Sequence, residues 1–316
     1  MNNLIKKHNK KPFRVLLIGA SGYLGSRLAK DMAECGWEVD GCDVRKPIEG
    51  SRFLRFFEID FSNINSDCLD DYGAVLWFAG HSTVGKCVED PVGSVENNFT
   101  NLLKLAEKLY KLGVPLVYAS TASLYSSSSN EFSLIADERR ANIYDSGKLS
   151  FDIVLNALGY RAIGLRLATV AGWSPHIRWE TIFNAMNRSA YLNGSVFITN
   201  PSNFRGLIFT DEFSVYVLHL LKLIKEDSFF NAPTQIPLSC WSGSIGSLGA
   251  EIAKFWGVPL EFGPDSGTYS FVLPDKPLHD VVGNSKNFYR SISERCHDFA
   301  LQMNWDIPKT AIKEQT

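Results

Sequence analysis

Tyr144 and Lys148 stand four residues apart in a stretch, 144–158, whose apolar spacing predicts a helix, so the phenol and the ammonium share one face. A free tyrosine titrates at about 10 and is barely ionised at neutral pH. Lowering it by about three units takes roughly 4 kcal/mol of differential stabilisation of the phenolate. A lysine ammonium one turn away supplies part of that. On its own, Tyr-x-x-x-Lys is also what a solvated helix face shows by chance. A hydroxyl partner is available, however. Ala119-Ser120-Thr121-Ala122-Ser123-Leu124-Tyr125 directly follows an apolar run at 116–119. Thr121 can orient an alcohol there while Tyr144 takes its proton.

Such groups need a rigid frame. Residues 13–18 form an apolar run apart from Arg14, short enough for a buried strand and too short for a core helix. Gly19, Gly22 and Gly25 follow at three-residue spacing, and Leu24, Leu28 and Met32 continue at helical spacing. The stretch reads strand, tight turn, helix. Gly19 makes the sharp turn, Gly22 allows close backbone approach, and Gly25 lets strand and helix pack. Together with Ser21, Tyr23 and Leu24, these glycines present N–H groups at a helix N-terminus, where the dipole favours a pyrophosphate. A second strand-like segment, 37–42, ends in Asp43, 18 residues beyond Gly25, where a carboxylate can accept from an adenosine ribose. The pattern predicts dinucleotide binding. Asp43 would repel a 2′-phosphate and so favours NAD over NADP, although Arg45 leaves some room for the phosphate. An oxidised nicotinamide beside Tyr144 adds a second positive charge and a hydride acceptor.

The remaining frame follows in order. Gly36 is placed to end the first helix, and 52–59 resembles a third strand ending at Asp60–Phe61. A fourth strand, 74–79, precedes Gly80-His81-Ser82. A long helix is predicted over 92–112, with Leu102, Leu105, Ala106 and Leu109 on one face and Gly113 at its end. Strands at 116–119 and 162–167 flank the 144–158 helix. This alternation predicts an α/β, Rossmann-type doubly wound parallel sheet, with ligands at the carboxyl ends of its strands. Gly19, Asp43, Asp60, Gly80 and Ser120-Thr121 all fall there. Beyond about residue 170 the alternation fades into short strands at 195–199 and 207–209 and helices at 213–224 and 245–256. The expected division is 1–170 for the cofactor and 171–316 mainly for substrate, the latter a smaller mixed α/β region. Residues 126–129, all serine, read as an exposed loop, and no repeat is visible.

Composition bounds the function. The 316 residues carry 32 Lys and Arg against 34 Asp and Glu, a net charge of −2 that makes no case for nucleic acid as a partner. Lys6, Lys7, Lys10 and Lys11 read as a solvated arm. No apolar run reaches membrane-span length, and the N-terminal region has no signal-peptide core. Six cysteines lie scattered without a Cys-x-x-Cys pair, which suits reduced thiols in a cytoplasmic protein and predicts no metal site.

Taken together, GASGYLG (19–25), FAGHSTV (78–84), VENNF (95–99), STASLY (120–125), YDSGK (144–148) and FRGLIFTDE (204–212) resemble the extended short-chain dehydrogenases/reductases of the NAD-dependent epimerase/dehydratase family. The likeness is to nucleotide-sugar enzymes of the UDP-galactose 4-epimerase type. It implies Thr121 as catalytic hydroxyl, Tyr144 as acid/base and Lys148 as its partner. It implies Asp60 and Phe61 beside the adenine, and Phe78, Ala79, Gly80, Ser82 and Asn97 lining the cofactor pocket. Thr169 and Arg205 would meet substrate, Arg205 at its pyrophosphate, and the segment around Arg205 would run back toward the cofactor region. Several positions depart from the family pattern. Ser82 replaces a cofactor-contacting lysine, and Thr169-Val170 replaces an Asn-Pro. Asp145 and Gly147 replace the small residue and serine of the usual YGxSK helix. Ala122-Ser123 stands where sugar 4,6-dehydratases place Asp-Glu, which counts against a dehydratase.

The expected activity is therefore NAD-dependent epimerisation of a nucleotide sugar by transient hydride removal. The alternatives are a dehydrogenase or ketoreductase with the same triad, or a nucleotide-sensing protein without turnover. His81 either contacts ligand or caps its strand. His176, near Trp173 and Trp179, is either a second acid/base or a plain loop histidine. Arg205 could instead form an ion pair, and His219 reads as structural. A homodimer is expected, with Phe99, Leu103, Phe151 and Leu155 as apolar surface unless they face the sheet.

Overall fold

The first apolar run becomes β1 (Arg14–Ile18), from Val15 onward fully buried, in a computed structural model that describes residues 13–64, 66–122, 142–227, 234–265, 270–273, 278–280 and 290–308. Its neighbours are β2 (Glu38–Asp43) and β4 (Ala74–Trp77), both parallel. β3 (Arg55–Glu58) extends one side, and β5 (Leu116–Thr121), β6 (Ala162–Leu167) and β10 (Thr234–Leu238) the other. The order β10-β6-β5-β4-β1-β2-β3 reverses direction between β1 and β4, which opens a crevice at the strands' carboxyl ends. The Rossmann-type sheet anticipated from the alternation is present, and β10 adds a strand from beyond residue 170.

Each face carries helices. On one side, α1 (Tyr23–Glu34) packs through Leu28, Ala29 and Met32 beside Phe213, Tyr216 and Val217 of α7 (Thr210–Lys225). On the other lie α4 (Asn101–Leu112), with Leu102, Leu105, Ala106 and Leu109, and α5 (Ile143–Leu158), with Phe151 and Leu155. A separate apolar cluster holds the smaller region, joining Phe183 of α6 (Ile182–Asn193), Phe209 of β9 (Phe204–Phe209), Trp256 of α8 (Ile245–Trp256) and Phe299. There β9 pairs with β7 (Thr169–Ala171) and β11 (Trp241–Ser244), and β8 (Val196–Ile198) with β12 (Leu260–Phe262).

Two expectations need correction. The single helix expected over 92–112 is α3 (Pro91–Val95), a π-helical turn at Glu96–Thr100, and then α4. Phe151 and Leu155 are fully buried against the sheet and offer no dimer surface. Phe99 and Leu103 also pack, half-buried, on that core. Phe151 meets Tyr118 edge-on, with centroids 4.8 Å apart. Phe151→Ala is therefore expected to cost about 3–5 kcal/mol of stability, measured as a lowered denaturant midpoint.

Candidate active site

The glycine turn is fastened to the end of β2. The N–H groups of Gly19 and Ala20 both donate to the Cys42 carbonyl, at 2.8 and 3.2 Å, and Ser21 N–H donates to Asp43 Oδ2 at 3.0 Å. Ser21 Oγ donates to the Lys46 carbonyl at 2.8 Å, so this side chain braces the turn from within. Gly19 has φ +85°, a left-handed conformation that favours glycine. Gly25 has no room for a side chain, because a Cβ would run into the Gly19 carbonyl. Tyr23 and Leu24 then begin α1, where the first N–H groups lack intrahelical acceptors. This cradle, with a carboxylate at the next strand end, fits a dinucleotide's diphosphate and ribose.

Asp43 is buried and its oxygens face Arg45, whose backbone N–H and Nε reach Oδ1 at 3.0 and 3.2 Å. Arg45 Nη1 also lies 3.2 Å from His176 Nε2. His176 donates its backbone N–H to Ser26 Oγ of α1 at 3.2 Å, so the histidine sits over the turn. Burial, and then the Arg45 charge, hold its imidazole below the ordinary range. Sequence alone gave no sign of this contact across 131 residues.

Thr121 ends β5 and is buried, and Tyr144 occupies the first turn of α5, half-buried. Asn142 caps that helix, its Oδ1 accepting from Asp145 N–H at 3.0 Å. Lys148, one turn after Tyr144, is only 4% exposed. Burial pushes its ammonium down to about 8, against the opposing charge of Asp152. Ser123, Leu124, Tyr125 and the serines at 126–129 lie outside the described residues, as does the basic arm.

The other anticipated residues ring the crevice. Asp60 caps the short turn Phe61–Asn63, taking Ser62 N–H at 2.9 Å and Ser62 Oγ at 2.6 Å. Phe61 stands edge-on to Trp77, and Phe78 edge-on to Phe213. Ala79 accepts from Trp77 Nε1 at 3.1 Å. Gly80 has φ +114°, and a Cβ there would strike Asn98 Oδ1. The exposed Ser82 offers its carbonyl to Arg178 Nη2 at 3.1 Å. Asn97 is half-buried, its Nδ2 3.5 Å from His81 Nδ1, and His81 Nε2 lies 3.3 Å from Asp90. The neighbouring Asn98, not singled out from sequence, is fully buried and donates Nδ2 to the His81 carbonyl at 3.0 Å. It fixes the loop after β4 from within the π-helical turn, a feature common at functional sites.

The smaller region meets the turn at Gly172. Tyr23 Oη donates to the Gly172 carbonyl at 2.7 Å, and burial drives the Tyr23 phenol far above its usual range. Asn184, fully buried, takes Gly172 N–H on Oδ1 at 2.9 Å and donates Nδ2 to Gly172 O at 3.2 Å and Tyr23 Oη at 3.1 Å. Ser174 Oγ donates to the Tyr23 carbonyl at 2.6 Å. Thr169, half-buried, opens β7 opposite Leu207. Arg205 on β9 is 7% exposed, with its guanidinium 5.4 Å from the Phe271 ring and Nη1 donating to Phe204 O at 2.9 Å. His219 is half-buried on α7. Among the described residues, no group of three His, Cys, Asp or Glu could hold a metal ion, and no helix is long and apolar enough to cross a membrane.

Comparisons place this geometry among known proteins. A UDP-glucose 4-epimerase from Streptococcus mutans is 27% identical over 177 residues, 51% of this chain and 53% of that one. An ADP-L-glycero-D-manno-heptose-6-epimerase from Pseudomonas aeruginosa is 29% identical over 170 residues, 50% and 51% of the two chains. The chain thus spans about half the length of these curated relatives. Among solved structures, a UDP-glucuronic acid 4-epimerase from Bacillus cereus, in complex with UDP-glucuronic acid and NAD, superposes with TM-score 0.75 at 19% identity, covering 92% of this chain and 100% of that one. An NAD-dependent NDP-hexosamine 5,6-dehydratase, TunA, gives 0.77 at 16%, covering 93% and 99%. Both likenesses are of fold. The NAD dependent epimerase/dehydratase family model matches residues 15–231, which carry the turn, Asp43, Thr121, Tyr144, Lys148 and Arg205, and the chain belongs to that NAD-using family.

Proposed function

We propose that the protein epimerises a nucleotide sugar, with Tyr144 withdrawing and returning a hydroxyl proton, Lys148 stabilising the phenolate and Thr121 orienting the hydroxyl. The observation that carries this is the buried Lys148 ammonium one turn from Tyr144 on α5, the helix that packs on β5 and so on the strand of Thr121. Burying an ammonium is costly, and beside a phenol the retained charge would favour the phenolate, which suits an acid/base working near neutrality. NAD, when bound, supplies a hydride acceptor and later a donor. The 19–25 turn with Asp43 would hold its diphosphate and ribose, Asp60 and Phe61 its adenine. Phe78, Ala79, Gly80, Ser82 and Asn97 would follow it toward Tyr144 and Lys148. Residues up to about 170 would form the cofactor region and the remainder mainly the sugar region.

Ala122 supports epimerisation over dehydration. It is fully buried and carries no proton-transfer group where a 4,6-dehydratase would need one. The six free thiols suit a reducing cytoplasm. The exposed Val88 of α2 (Val84–Glu89), Val92 of α3 and Ile153 of α5 would serve a homodimer better than the four buried or half-buried residues first considered.

The test is to assay the purified protein for retained NAD and incubate it with a panel of nucleotide sugars, reading products by NMR. An isomer formed without net NADH change is expected. Stoichiometric NADH would mean a dehydrogenase or ketoreductase, loss of water a dehydratase, and no conversion of any nucleotide sugar would overturn the reading.

Arg205 gives a second check. A guanidinium can bind paired diphosphate oxygens bidentately, which lysine does less well. Lying away from the reacting carbon, it serves binding more than chemistry. Arg205→Ala is expected to raise KM at least about tenfold, with Arg205→Lys recovering part and NAD binding unchanged.

A further inference from the structure

Asp152 follows Lys148 by one helical turn on α5 and is 1% exposed. Its carboxylate collects three donors from two strands. Tyr118 Oη donates to Oδ1 at 2.7 Å, while Ser120 Oγ and Arg166 Nε each donate to Oδ2 at 3.0 Å. Tyr118 and Ser120 share one face of β5, Thr121 is the next residue along it, and Arg166 is the register partner of Ser120 on β6. One carboxylate therefore fastens the strand that ends in Thr121 to the helix that carries Tyr144 and Lys148.

We propose that Asp152 is a positioning residue for the acid/base pair: held by Tyr118, Ser120 and Arg166, it keeps Lys148 as an ammonium beside Tyr144 and sets the placement of that pair against Thr121. The proposal rests on the acid/base reading of Tyr144 given above. A buried carboxylate paired only for structure is a poor investment, because apolar side chains of similar volume usually stabilise as well. Here the surroundings give the charge a task. Burial drives Lys148 toward neutrality, and Asp152 is the main influence the other way. The other titratable or charged groups around the pair are Tyr144 and the buried Asp145 on α5, the latter accepting from Asn142 Nδ2 at 2.7 Å, Cys87 on α2, Tyr118 on β5 and Arg166 on β6. Lys86, Glu89, Asp90 and Glu96, on the segments packed against α5, are exposed.

The sign follows from the charges. Asp152→Asn removes the charge that retains the Lys148 proton, so Lys148 loses it at lower pH. Tyr144, deprived of its cation, ionises at higher pH. Asp152 lies two turns from Tyr144, so its direct repulsion of the phenolate is the weaker effect. The activity profile should narrow from both sides, each limb moving by about half a pH unit or more, with kcat near neutrality down at least about tenfold and NAD affinity within about twofold. Asp152→Glu should recover most of the loss. Independently of turnover, Tyr144 ionisation is read by ultraviolet titration as the difference between each protein and its Tyr144→Phe counterpart, and should shift upward in Asp152→Asn. If that variant does not fold, Tyr118→Phe keeps the charge but removes one donor, leaving the carboxylate freer for Lys148. Its alkaline limb should then move to higher pH. Limbs and Tyr144 titration that stay put in the variants that fold, with only thermal stability lowered, would overturn the proposal. A wild-type protein that converts no nucleotide sugar would sink the epimerase reading instead, while the Tyr144 titration would still decide the role of Asp152.

Discussion

Tyr144→Phe is expected to lower nucleotide-sugar turnover by about a thousandfold or more while leaving NAD affinity within about twofold. The substitution keeps the ring and removes only the hydroxyl, so α5 and the half-buried setting of the side chain persist. What would be lost is the group proposed to exchange a proton with the sugar, an effect of roughly 4 kcal/mol on the barrier. On the proposed mechanism Lys148 cannot take over, because it is only 4% exposed and is assigned to bias the phenol. Single-turnover kinetics alongside calorimetry of NAD binding separate the two quantities. Undiminished turnover would remove Tyr144 from the mechanism, and a parallel loss of NAD affinity would make its role one of binding.

The second large effect is expected from Gly25→Ala, which should weaken NAD binding by about a hundredfold or more, some 2.7 kcal/mol. The added methyl would meet the Gly19 carbonyl and the Ala20 Cα. These are backbone atoms that no side-chain rotation can clear, so α1 must move off β1 and carry its N-terminal N–H groups with it. Gly85→Ala is the control. It meets nothing within 4 Å in α2, so it should leave NAD binding alone and stabilise that helix by up to about 1 kcal/mol. Titration calorimetry and thermal unfolding of the two variants read both outcomes.

The elements that sequence describes well are those built by local rules. The 13–25 stretch became strand, turn and helix because each glycine answers a nearby backbone constraint, and 162–167 and 245–256 match β6 and α8 residue for residue. The long helix failed where one π-helical turn interrupts it. Glu96–Thr100 winds more than 3.6 residues per turn, so periodicity carried through it loses phase, and two adjacent asparagines cannot be ranked. Asn97, expected to line the cofactor pocket, is half-buried, and its neighbour Asn98 is turned wholly inward, a difference that spacing does not predict. Arg45 on His176 and Tyr23 on Gly172 depend on packing between segments more than 100 residues apart, for which no spacing exists to read. Asp152 left a usable sign, since it continues the four-residue step from Tyr144 through Lys148, and Tyr118 and Ser120 supply polar groups on one face of β5.

Gly172 is gripped through both of the peptide groups it joins, by Asn184 at its N–H and by Tyr23 and Asn184 at its carbonyl. Mechanically this is a pivot whose axle is welded to the first residue of α1. On the proposed reading, a swing of the smaller region that admitted or freed a sugar would load Gly172, and Tyr23 would pass that load to the helix end that would seat the diphosphate. Sugar exchange and NAD exchange would then be two strokes of one lever. A bound sugar should lengthen the residence time of NAD, and by reciprocity bound NAD should tighten the grip on the sugar.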